Sequence, residues 1–86
     1  MAHRNRIYNL TSEQLKQLTT RLCMTNTKAA WTATTWWLQQ QFCFDFEDAG
    51  GISREMIGAL LSDSDPTTLP VRLDMILDTW MPEDFD

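Results

Sequence analysis

Of the twelve acidic side chains in this 86-residue chain, eleven follow residue 41, and they are the first place to look for chemistry. Asp63-x-Asp65-x-Thr67, with Asp74 eleven residues after Asp63, imitates the ligand spacing of a calcium loop between two helices. Thr68 stands where that loop needs its glycine, Pro70 intrudes, and the closing residue is Asp rather than a bidentate Glu. Helix capping accounts for the same aspartates without a metal, so no metal is expected. Other carboxylate pairs have no companion His, Lys or Gly-rich loop, and no Ser has a base. The chain is therefore read as non-enzymatic, with no cofactor.

Two thiols, Cys23 and Cys43, form no CxxC pair, and the single histidine, His3, lies near the N-terminus. A zinc site or a Cys–His pair is poorly supported by that set. Each cysteine sits in an apolar run, so two buried free thiols are expected. A disulfide between the first two helices is the alternative.

What remains is recognition. Asp74 and Asp78, four residues apart on a helix, flank Val71 and Met75, which the helical period places away from the core. The end of the chain repeats the mixture, with Phe85 among Glu83, Asp84 and Asp86. Acids of this kind steer a basic partner, and the apolar groups supply buried anchors. The plain alternative is a solubilising face with a frayed end.

Charge is divided along the chain. Residues 1–41 hold Arg4, Arg6, Lys16, Arg21 and Lys28 against Glu13, net +4. Residues 42–86 hold Arg54 and Arg72 against eleven acids, net −9, which together make the −5 of the whole chain. Such asymmetry speaks of partners and self-association rather than of fold. The segment "SREMIGALLSDSDPTTLPVRL" has the outline of a helix-turn-helix, but its second helix would carry Arg72 among Asp63, Asp65, Asp74 and Asp78 and would repel phosphates. Five basic residues in the first half could form a small nucleic-acid patch with Tyr8 and a tryptophan. A solvated surface explains them as well.

These groups need elements to hold them. The length allows one domain, 1–86, with residues 1–10 an N-terminal arm and 82–86 an acidic tail. "LTSEQL" is a capping box from Thr11 to Gln14 inside a Leu10–Leu15 staple, which starts a helix over about 12–24. "TNT" at 25–27 caps a second helix over about 28–42. That helix opens into "WTATTWWLQQQFCF", which holds three of the four tryptophans and two of the four phenylalanines. At ~100° per residue Trp31 shares a stripe with Leu38 and Phe42, while Trp37 joins Ala30 and Ala33 on another. Trp36 borders the polar sector, so Trp31 and Trp37 are expected in the core and Trp36 at a contact surface. Residues 43–49 read as an extended segment or a frayed end, and Gly50-Gly51 as a turn. Ser53 then caps a third helix whose Ile57, Leu60 and Leu61 face the core. A fourth runs to about Met81, with Leu69, Leu73, Ile76, Leu77 and Trp80 inward.

The expected architecture is all-α, a small bundle of about four helices around a Trp-rich central helix. "MAHRNRIYNLT" has basic residues with no apolar run behind them, so no secretory leader is read, and no stretch is apolar for long enough to span a membrane. The expected setting is the cytoplasm. The expected role is a protein-binding regulator or inhibitor that occupies a basic surface of a larger protein, with nucleic-acid-handling proteins the model partner class. Its contact residues would be Trp36, Val71, Asp74, Met75, Asp78, Glu83, Asp84 and Phe85. A homo-oligomeric structural or adaptor protein is the second reading, and nucleic-acid binding through the basic half is the third.

Overall fold

Thr11 starts the first helix by the exchange its sequence implies. In the computed structural model, which describes residues 10–62 and 67–80, the Thr11 hydroxyl accepts the Gln14 N–H at 3.1 Å, and the Gln14 side-chain oxygen accepts the Thr11 N–H at 3.0 Å. Two donors left over at the helix start are thereby satisfied. Leu10 and Leu15 pack on the core on either side of this cap. Helix α1, Ser12–Leu22, buries Leu18 and Leu22 and ends at Cys23.

Helix α2 is Thr27–Phe42. Its N-cap is Asn26, whose side-chain oxygen accepts the N–H groups of Lys28 and Ala29 at 2.8 and 3.2 Å. It stops at Cys43, which adopts a left-handed backbone with φ of 62°. Glycine or asparagine more often fills such a position. Two residues later Asp45 caps the next helix, its carboxylate accepting the Asp48 N–H at 2.8 Å. Segment 43–49 is therefore a short link followed by a helix start, with Glu47 and Asp48 in a first turn that favours negative charge.

Helix α3, Phe46–Ser62, runs straight through Gly50-Gly51. The expected turn there, and the Ser53 cap, are both replaced by continuous helix. Each glycine in a helix interior costs ~1 kcal/mol relative to alanine, and packing supplies the compensation. A Cβ on Gly50 would lie 2.8 Å from Cζ2 of Trp31, and one on Gly51 would lie 2.7 Å from Cη2 of Trp80. The missing side chains are slots for two indoles. Ser53 is buried and donates to the Ala49 carbonyl at 2.9 Å, while accepting from the Thr35 hydroxyl at 2.9 Å. Leu61 lies on the side of Arg54, seven residues before it, and is exposed rather than facing the core.

Helix α4, Leu69–Trp80, takes Pro70 in its first turn, where a missing N–H costs little. Leu73 and Leu77 are fully buried, with Leu69, Ile76 and Trp80 packed at the edge of the core.

Among the described residues the architecture is the expected small all-α bundle of four helices. Trp-rich α2 shares its centre with α3, which packs against each of the other three. Trp37 is buried and donates its indole N–H to the Gln17 side-chain oxygen at 3.0 Å, tying α2 to α1. Trp31 is half-buried at the edge, its ring edge-on to Phe46 at 5.7 Å and its N–H on the Gly50 carbonyl at 3.0 Å. Cys23 and Cys43 are free and both exposed, contrary to the expected burial. Each ends a helix, where the chain turns away from the packed face. Residues 1–9 of the expected 1–10 arm and the tail at 82–86 lie outside the described residues, as does Asp63-x-Asp65, while Leu10 of that arm is buried in the core.

Candidate protein-binding surface

Three of the eight expected contact residues form a strip on α4. Val71, Met75 and Asp78 follow one another at i, i+4 and i+7, so they lie along one side of the helix. Met75 is 62% exposed and Val71 42%, while Leu73 and Leu77 on the other side are sealed. Asp78 is exposed beside them.

Asp74 departs from the expectation. It is only 4% exposed, and its carboxylate accepts the backbone N–H of Leu10 at 3.1 Å. At ~100° per residue Asp74 stands roughly 60° from Leu77, at the border of the apolar face rather than opposite it. The start of α1 covers that border and turns the carboxylate into a structural acceptor. Asp74 is thereby removed both from the recognition strip and from the imitation calcium loop. Among the described residues no three His, Cys, Asp or Glu side chains gather as a metal site would need.

Trp36 is 57% exposed on the outer side of α2, as its wheel position implies. The structure does not bring it to the α4 strip, because α4 packs on α3 while α2 packs on α3 and α1. Trp36 and Met75 thus belong to separate surfaces. Glu83, Asp84 and Phe85 lie outside the described residues.

Two features escaped the sequence reading. Glu55 on α3 reaches the edge of α4, where it accepts the Trp80 indole N–H at 3.1 Å. With Arg72, Met75, Ile76 and Thr79 it lines a shallow groove of about 260 Å³ beside the strip. The i, i+4 pattern within one helix cannot reveal such a neighbour. The second is an open cleft of about 520 Å³ between α2 and α3, lined by Thr27, Lys28, Trp31, Arg54 and Ile57. It mixes an apolar floor with two cations from opposite halves of the chain, and only the packing of α3 on α2 brings them together.

The Arg21 guanidinium folds back to donate to the Gln17 carbonyl at 2.9 Å. Among the described residues no helix is long and apolar enough to cross a membrane. Compared with known proteins, the chain matches no family model, no curated protein and no solved structure.

Proposed function

We propose that this protein is a non-enzymatic, protein-binding regulator or inhibitor that occupies a basic surface of a larger partner. Nucleic-acid-handling proteins are the partner class that fits, since their surfaces carry the cations that neutralise phosphates. The observation that supports this reading is Met75, 62% exposed one turn after exposed Val71, on a helix whose other face is fully buried. A flexible thioether on an ordered helix is an adaptable apolar anchor. Asp78 beside it, and Glu83, Asp84 and Phe85 beyond it in sequence, extend the mixture of acid and apolar groups.

The test compares the full chain with Met75→Ala on an affinity support. A central anchor is worth ~2 kcal/mol or more, or roughly a 30-fold loss in affinity. A surface truncation shifts folding stability by only ~0.5 kcal/mol. The expected result is retention of one basic partner by the parent, loss of that retention by Met75→Ala, and equal melting temperatures. Equal retention by both chains would remove Met75, and with it this reading.

A second reading, self-association through α2, is favoured by Trp36, whose large ring is more than half exposed. Concentration-dependent mass in light scattering that Trp36→Ala abolishes would establish it. A single monomer mass across the concentration range would discard it.

A further inference from the structure

We propose that the chain's own C-terminal segment, residues 82–86, docks in the cleft between α2 and α3, with the Phe85 ring against Trp31 and Ile57 and its neighbouring carboxylates beside Lys28 and Arg54. The cleft has the chemistry for such an occupant. Its floor is the half-buried Trp31 indole and Ile57, and its rim carries the two cations. Neither the Lys28 nor the Arg54 side chain has an ion-pair partner among the described residues. Arg54 is one of only two basic residues after position 41, so its place in this cleft is a selective use of positive charge. The segment matches in kind and order. Phe85 is the only aromatic residue after Trp80, and it has Asp84 before it, Asp86 after it and Glu83 one step further back.

The tether also fits. Trp80, the last residue of α4, lays its ring over Gly51, while Trp31 lays its ring over Gly50. The end of α4 and the floor of the cleft therefore flank the same two residues of α3. Five residue steps lead from Trp80 to Phe85 and span up to about 17 Å when extended. A helix with its side chains is ~10–12 Å across. Gly58, seven residues after Gly51 and so on the same side of α3, is exposed and adds no side chain to the way across the helix. Tethering on so short a link gives an effective concentration in the millimolar range, so a modest contact suffices. The docking does not depend on the partner reading above. If both hold, a basic partner competes with Lys28 and Arg54 for the same acids.

The experiment is solution NMR on the full chain at a concentration where it is monomeric. Cross-peaks from the Phe85 ring to Trp31 and Ile57 are expected, together with a shift of the Trp31 indole N–H resonance in Phe85→Ala. The buried Trp37 indole should stay where it is and serves as the internal control. In a chain carrying Lys28→Glu and Arg54→Glu, both at exposed positions outside the core, the Phe85 cross-peaks should be lost. Random-coil shifts for residues 82–86, with a Trp31 resonance indifferent to Phe85→Ala, would overturn the proposal. Cross-peaks seen only between differently labelled copies would assign the cleft to a second chain and equally overturn docking within one.

Discussion

The two halves of α3 are one continuous helix under opposite constraints. In the first half Gly50 and Gly51 lie beneath the rings of Trp31 and Trp80, and Ser53 is buried in a hydrogen-bonded pair with Thr35. In the second half Gly58 has nothing within 4 Å of where its Cβ would be, and Leu61 projects into solvent. At Gly50 the missing side chain is a packing requirement, and at Gly58 it is a simple weakness. The first half of α3 thus receives one indole from α2 and one from α4, while the second half buries Met56, Ile57 and Ala59 and leaves Gly58 and Leu61 at the surface.

The sharpest way to break that contrast is Gly50→Val. The Trp31 ring cannot easily retreat, because it is held by the Gly50 carbonyl and by Phe46. Overpacking of this kind costs ~1–3 kcal/mol or more, and at ~4–8 °C per kcal/mol for a domain this small a melt should show a drop of about 10 °C. An unchanged melt would mean that Trp31 is not seated there.

Next comes the polar pair. Ser53→Ala leaves the buried Thr35 hydroxyl without its acceptor and should cost ~1–3 kcal/mol in urea unfolding. Thr34→Val is the matched control. The adjacent Thr34 hydroxyl is buried with no hydrogen-bond partner among the described residues, so its removal should be neutral or stabilising. Equal losses in the two variants would dismiss the hydroxyl pair as the cause.

In the second half the sign reverses. Gly58→Ala adds a methyl in open space and should stabilise by up to ~1 kcal/mol through helix propensity alone. Gly51→Ala should show the smallest change, within ~0.5 kcal/mol of zero. The indole in its way belongs to the last residue of α4 and is tied by one exposed bond to Glu55, so it can swing aside. A large loss at Gly51 would show that α4 grips α3 as firmly as α2 does.

Local rules read well wherever a local interaction decides. The Thr11–Gln14 box, the apolar faces of α1 and α4, and the outward position of Trp36 all followed from spacing within one helix. The misreadings share a different cause. Gly50-Gly51 read as a turn because glycine usually breaks helices, yet here the deciding partner is an indole 19 or more residues away. Asp74 read as exposed from its place on its own helix, and the Leu10 amide 64 residues away draws it in. Leu61 read as inward because it borders Ile57 on the wheel, yet its side of α3 is left exposed. Of the candidate surface, Val71, Met75 and Asp78 were legible from periodicity, whereas the Lys28–Arg54 cleft exists only after two helices meet.

The Leu10–Asp74 bond has a consequence for the order of assembly. The main helix contacts join successive elements, α1 to α2, α2 to α3 and α3 to α4, so most of the bundle assembles from short-range encounters of the kind that fold in microseconds to milliseconds. The Leu10 amide reaching Asp74 closes a loop of nearly the whole described chain, and its entropy of closure is recovered only once the intervening helices are in place. That clasp should form last and open first. Amide exchange at Leu10 should therefore report the parting of the two ends while α2 and α3 remain folded.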